Sequence, residues 1–352
     1  MADDNTAVAR AETRRDTATR RKLGRFIIVI GFTRERVARG RDMSVAMVFP
    51  GQGSQSVGML RELAAHAPLI ERTLREAGDV LGYDLWTLTQ NGPKEQLDRT
   101  EFTQAAMLAA DVAVWRLWRQ RGGAPPQFVS GHSLGEYAAL VAADALTFAD
   151  ALRLVQFRGR AMQEAVPEGR GAIAAVIGCD DETVAAACEQ AAAGSVVEPV
   201  NYNAPGQVVI AGEVEAVRRA LEIAKSRGAK RAVVLPMSVP AHSSLMQPAA
   251  QRLLERLRGT PIERPKIRYF SAVDAAEHSE PDDIRAILGR QPACAVRWTE
   301  TVRALLAAGV TRMIECGPGR VLTPMNKRAD KRGDVQFLSV DDPASLDAAL
   351  AL

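Results

Sequence analysis

The chain has 352 residues, 47% of them hydrophobic and 25% charged, which suits a soluble globular protein of one large domain or one domain carrying an insertion. The formal charge of +3 is uneven: residues 1–42 hold 11 Lys and Arg against 6 Asp and Glu, and the remaining residues hold 34 against 36. A body so close to neutral argues against a nucleic-acid binder, and Phe26 to Phe32, the apolar stretch of the leading segment, is far too short to cross a bilayer.

The leading segment itself lacks the marks of a targeting signal. Arg34, Glu35 and Arg36 follow its apolar stretch where a signal peptide needs small residues, and Asp3, Asp4, Glu12 and Asp16 speak against a transit peptide. Residues 1–42 are expected to be a dispensable, poorly ordered basic extension, with Met43 as a natural start. The four cysteines, Cys179, Cys188, Cys294 and Cys316, form no C-x-x-C pair, so they are expected as buried thiols in the reducing cytoplasm, with no metal site.

From residue 44 the pattern alternates. "SVAMVFP" (44–50) is a buried strand ended by proline and glycine, and "GQGSQSVG" (51–58) is a turn-rich loop. Helical periodicity covers 59–82 and 103–121. A short strand, "PQFVSG" (126–131), runs into "GHSLG", and "LGEYAALVAAD" follows as a helix packed on both sides. The next helix, 147–165, starts with Thr147 and Asp150 placed to cap it. Over 171–240 the texture changes to strand, helix, two strands joined by Ala-Pro-Gly, helix, strand, which is the βαββαβ order of a ferredoxin-like unit. A helix (244–258), a strand (266–273), a helix (298–308), a strand (312–317) and a last helix near 321–330 complete the chain. The expected fold is α/β: a mostly parallel sheet covered on both faces, built from 43–168 and 241–352, with 169–240 inserted as a small subdomain.

The chemistry centres on Ser133. G-x-S-x-G between a strand and a helix is a nucleophile elbow, a turn too tight for side chains beside the serine. The amide of Leu134 and the start of the following helix would face an anion forming there. A second amide is expected from the Gly51-Gln52-Gly53 loop after the first strand. Such a serine needs a base. His66 lies in a polar helix and His278 in a loop-like segment. His132 adjoins the serine, but neighbouring side chains on a tight turn diverge, so it is assigned to supporting the site. His242, where the chain leaves the small subdomain, remains as the base. Arg158 falls on the buried stripe of its helix with Ala151, Leu154, Val155, Ala161 and Met162. An inward arginine needs an anion: either an internal carboxylate or a substrate carboxylate held by a bidentate clamp.

Together, "VFPGQGSQSVGML", "GHSLGEYAALV", "RGRAMQEAVPEG", "PVNYNAPGQVVIAG", "SVPAHSSLM" and "ECGPGRVL" resemble the malonyl-CoA:acyl-carrier-protein transacylases of bacterial type II fatty-acid synthesis. The resemblance spans Ser44 to the C-terminus and leaves out the leader. It implies an α/β-hydrolase-like core with a ferredoxin-like subdomain. Ser133 is then the residue that becomes malonylated, His242 its base, Gln52 and Leu134 the backbone oxyanion donors, and Arg158 the ligand of the malonyl carboxylate. Asn203 matches an asparagine near the site. The partners implied are malonyl-CoA and acyl carrier protein, with no cofactor, nucleic acid or membrane, and a cytoplasmic monomer is expected. One departure stands out: Ala295-Val296-Arg297-Trp298 replaces a Pro-Val-Gln-Trp-like run, whose third residue is expected to hold the base histidine through its carbonyl. A serine esterase and a non-catalytic carrier-protein scaffold are the rival readings; the first usually places its histidine late, after an acidic residue.

Overall fold

A computed structural model of the chain describes residues 44–351 except Ser238, so the readings of the leader lie outside the described residues. Among the described residues ten strands make two sheets. The larger contains β1 (Val45–Phe49), β2 (Phe128–Gly131), β7 (Arg268–Ser271), β8 (Ala276–His278), β9 (Arg312–Cys316) and β10 (Gln336–Val340). Its order is β10-β9-β1-β2-β7-β8, parallel throughout except for β8, which runs antiparallel to β7 at the edge.

The run of apolar residues in β1 follows from this position. Val45, Met47 and Phe49 face a core built with the helices Thr100–Gln120, Gly135–Ala142 and Phe148–Ala165. Ala46 and Val48 face Trp298, Val302, Leu305 and Leu322 on the other side. A strand buried on both faces has no polar alternation to show. The chain leaves β1 towards β2 and β7, and later returns on the other side as β9 and β10, so the strand order reverses beside β1. Open α/β sheets place their sites at such a reversal, beyond the carboxyl ends of the strands.

The second sheet holds β3 (Gly171–Ile177), β4 (Val197–Ala204), β5 (Gln207–Glu213) and β6 (Arg231–Val234), in the order β4-β5-β3-β6 and wholly antiparallel. With the helices Asp181–Ala192 and Val214–Ser226 it forms the expected βαββαβ arrangement. The free edge of β4 is laced to the stretch before the Trp298–Ala307 helix. There Val296 N–H donates to Val200 O (2.8 Å) and Tyr202 N–H to Val296 O (2.9 Å).

Local chemistry accounts for several boundaries. Thr147 caps the Phe148–Ala165 helix by accepting from Asp150 N–H at 3.1 Å, as its sequence predicts. The helical stretch 59–82 is instead two helices, Arg61–His66 and Leu69–Leu81, because Ala67 is extended and Pro68 opens the second. The strand that closes the 171–240 unit ends at Val234, and that expected over 266–273 is confined to Arg268–Ser271. Seven elements among the described residues lie outside the sequence expectation: the helices Leu85–Asn91, Lys94–Leu97, Pro281–Arg290 and Pro343–Leu350, the short helical turn Gln291–Ala293, and strands β8 and β10. Cys179, Cys188 and Cys316 are buried, Cys294 is half-buried, and all four are free thiols.

Candidate active site

Ser133 sits where β2 turns into the Gly135–Ala142 helix, with φ at 52°, a left-handed backbone that a non-glycine residue adopts only under constraint. The constraint is steric. A Cβ on Gly131 would fall onto the backbone of Gly135 and Glu136, and one on Gly135 onto the carbonyl of Phe49. The turn therefore closes on itself and onto β1 at once. Gly51, just past β1, rests on the same turn: a Cβ there would lie 2.5 Å from the His132 carbonyl. This brings the Gln52 loop beside the serine. The backbone N–H groups of Gln52 and Leu134 donate to no acceptor among the described residues, while the Gln52 side chain is held by Thr100 Oγ1 at 3.3 Å.

His242 reaches Ser133 from the other side of the cleft, Nε2 to Oγ at 2.7 Å. Its backbone is also left-handed (φ 69°), and its N–H is anchored on Pro292 O at 2.8 Å. Nδ1 faces two carbonyls, Gln291 O at 3.1 Å and Cys294 O at 3.0 Å. Both are acceptors, so Nδ1 carries the ring proton and Nε2 presents its lone pair to the serine hydroxyl. Burial, reinforced by the Arg158 guanidinium, lowers the imidazole to about 3. The ring is therefore neutral at working pH and fit to accept a proton. No carboxylate touches it among the described residues; carbonyl dipoles do the orienting.

Arg158 is 2% exposed. Its Nη2 donates to Ser133 Oγ at 3.2 Å and to Gln291 Oε1 at 3.0 Å, while Nε has no acceptor. Among the described residues no carboxylate lies within ion-pair distance of it. Of the two readings open in the sequence, the internal salt bridge is therefore absent. Burial pulls the guanidinium below its ordinary value, yet arginine remains cationic at neutral pH. What stands beside Ser133 is a buried positive charge without a counter-ion.

The other histidines lie apart from this chemistry. His66 is exposed and contacts its own helix at Glu62 O, 2.9 Å. His278, on β8 rather than in a loop, pairs with Asp274 at 3.1 Å. His132 turns away from Ser133 and binds Asn203 Oδ1 through Nε2 at 2.8 Å, so the asparagine on β4 braces the elbow from the small sheet.

Two residues escaped the sequence reading. Gln291 is buried, donates from Nε2 to Ser133 O at 3.0 Å, accepts from Arg158, and lends its carbonyl to His242. Glu136, three positions after Ser133, is buried and accepts from Tyr269 Oη, Ser271 Oγ (3.0 Å) and Ala272 N (3.0 Å), tying the elbow helix to the end of β7. Burial raises its carboxyl to about 7. One expectation is overturned. Arg297 does not hold the base: its carbonyl accepts from Thr301 N at 2.9 Å within its own helix, and its side chain pairs with Glu300 at the surface. Gln291 and Cys294 supply the carbonyls instead.

Residues 46–340 match the acyl transferase domain family. A malonyl CoA-acyl carrier protein transacylase of Salmonella typhimurium is 52% identical over 305 residues, which are 87% of this chain and 98% of that one. Among solved structures, an acyl-carrier-protein S-malonyltransferase from Burkholderia pseudomallei is 53% identical, with a TM-score of 0.85 over 88% of this chain and 100% of that one. A malonyl-transacylase solved in complex with its type II PKS acyl-carrier protein is 51% identical, with a TM-score of 0.85 over 88% and 99% of the two chains.

Proposed function

Because the chain belongs to the malonyl-CoA:acyl-carrier-protein transacylases of the acyl transferase domain family, we propose that it transfers a malonyl group from malonyl-CoA to the phosphopantetheine thiol of acyl carrier protein through a malonyl-Ser133 ester. The observation that carries this reading is Arg158. A buried, unpaired guanidinium donating to the same Oγ that meets His242 calls for an acyl group ending in a carboxylate.

In the first half-reaction Ser133 Oγ attacks the thioester carbonyl as its proton passes to His242 Nε2. The developing oxyanion accepts from the Gln52 and Leu134 amides. Collapse breaks the C–S bond, and His242 returns the proton to the leaving CoA sulfur. The second half-reaction reverses the roles: His242 takes the proton of the pantetheine thiol, the sulfur attacks the malonyl ester, and Ser133 leaves with that proton. A carboxylate anchored on Arg158 fixes the acyl carbonyl at the amides through both steps. His132 and Asn203 keep the elbow in place, and the Asn203 amide nitrogen remains available to substrate. The reaction requires no cofactor, and a monomer acting in the cytoplasm supplies malonyl-ACP for fatty-acid synthesis. Among the described residues no helix is long and apolar enough to cross a membrane.

Intact mass after incubation with malonyl-CoA tests the reading. A malonyl adduct is expected on the parent protein, lost in Ser133→Ala and discharged by holo-acyl carrier protein. A parent that binds carrier protein but never carries the adduct would refute it. Discharge by water as fast as by thiol would identify an esterase.

A further inference from the structure

We propose that Tyr137 is a second donor to the substrate carboxylate, its phenol O–H gripping one oxygen while Arg158 holds the other; this rests on Arg158 being the carboxylate clamp. Tyr137 lies four residues after Ser133, on the helix that leaves the elbow. Its side chain is wholly buried, and its hydroxyl has no hydrogen-bond partner. The Arg158 guanidinium lies over its ring, 5.9 Å from the centroid, and Arg158 Nε is also a buried donor without an acceptor.

Arg158 interacts with the Tyr137 phenol oxygen, but the phenol O–H itself has no acceptor, and a buried donor left so requires explanation. The nearby acceptors are already engaged. Gln291 Oε1 and Ser133 Oγ accept from Arg158 Nη2. The Glu136 carboxylate is taken by Tyr269, Ser271 and the Ala272 amide. A carboxylate brings two acceptor oxygens on one anionic group, one for the phenol O–H and one for Arg158, which a plain acetyl does not. Burial raises the phenol to about 12 against the opposing pull of Arg158, so the hydroxyl keeps its proton wherever the enzyme works. Tyr137 thus adds a neutral donor to a charged one, and the two set which acyl groups are held.

Tyr137→Phe in the full chain tests this, with malonyl-CoA and acetyl-CoA competing for Ser133 and the adducts read by intact mass. The ratio of malonyl to acetyl adduct is expected to fall about tenfold, the scale of one hydrogen bond to a charged group. The melting temperature should be unchanged or higher, because an unpaired buried hydroxyl has been removed. In an Arg158→Ala background the same substitution should leave the ratio unchanged, since both side chains act on one carboxylate. A ratio within twofold of the parent overturns the proposal, and so does an equal loss in both backgrounds, which would mark a packing effect. No adduct on the parent itself would instead refute the acyl-enzyme on which the proposal stands, and that outcome is visible before any Tyr137 variant is made.

Discussion

Replacing Arg158 by Met separates a functional cation from a structural one. Methionine keeps much of the apolar stem volume and removes the charge. In the free protein that charge bonds Ser133 and Gln291 and has no carboxylate partner, and replacing even a buried ion pair by apolar groups of similar volume often stabilises by about 1–4 kcal/mol. Against this, Gln291 Oε1 loses its donor, a cost of about 1–3 kcal/mol. The net change is near zero or a modest gain, so the melting temperature should hold or rise. Malonyl transfer behaves differently. Truncating one partner of a buried, hydrogen-bonded charge pair costs about 2–5 kcal/mol. At 1.4 kcal/mol per decade this is roughly thirtyfold to a few thousandfold in malonyl kcat/KM. Acetyl-CoA has no carboxylate to lose, so the preference should shift towards acetyl. The assay is competitive labelling of Ser133 from both thioesters, with a thermal melt of the same preparations. An unchanged malonyl-to-acetyl ratio with a clear loss of stability would show that Arg158 is structural and refute the argument.

Two further tests bear on the base. Gln291→Ala removes the acceptor for Arg158 and the donor to Ser133 O while keeping the carbonyl on His242, so malonyl kcat/KM should drop about tenfold. Arg297→Gln should leave it within about twofold, since that side chain meets only Glu300; steady-state kinetics of both variants decides between them. The pH dependence follows from His242 at about 3. Acylation should stay flat from pH 5 to 8, with no acid limb near the ordinary histidine value of about 6.5. Stability has the matching sign. Between pH 3 and 6.5 the unfolded chain binds this proton and the native state does not, so stability falls as pH drops, by up to about 1.4 kcal/mol per unit. Glu136, raised to about 7, acts oppositely: its contribution is present below about pH 4.5 and is lost as pH rises through 7. The two slopes should offset between 4.5 and 6.5 in the parent, and Glu136→Gln should expose the histidine slope in thermal melts.

The parts of the site legible in the sequence were those whose constraint is local. Gly131 and Gly135 announce a turn that no side chain can enter, and the strand and helix on either side give it its meaning. Arg158 declared itself by breaking the apolar stripe of its own helix. His242 could be reached because four histidines are few enough to eliminate. Gln291 left no comparable trace. It sits in a single helical turn, Gln291–Ala293, and its bonds to His242, Arg158 and Ser133 reach 49 to 158 positions away. The Arg297 expectation failed for a related reason: a backbone carbonyl carries no side-chain signature, and a motif carry-over placed it six residues too late. The missed elements divide similarly. Pro68 was a readable helix break, and Asp342 with Ser345 a readable capping box. The three-residue β8 exists only because β7 offers it an edge.

The way His242 is oriented and the way Arg158 is left unpaired answer the same electrostatic problem. An aspartate behind Nδ1 would orient the imidazole equally well, but it would add a negative charge to a pocket whose buried guanidinium has no partner. That guanidinium would be drawn to it, and the substrate carboxylate would meet a neutralised clamp. The Gln291 and Cys294 carbonyls fix the tautomer with dipoles alone and leave the charge of Arg158 uncancelled. The cost falls on the base, because the same cation helps hold His242 down to about 3. If Arg158 holds a substrate carboxylate as proposed, that anion would offset the cation as Ser133 gives up its proton and would make His242 more basic. An acyl group without a carboxylate gains neither effect. Arg158→Met should therefore raise the apparent pKa of His242, although burial, the larger cause, still holds it below its ordinary value, and the acid limb of acetyl transfer should begin at a higher pH than in the parent. An acid limb at the same pH in both proteins would break the link between Arg158 and His242.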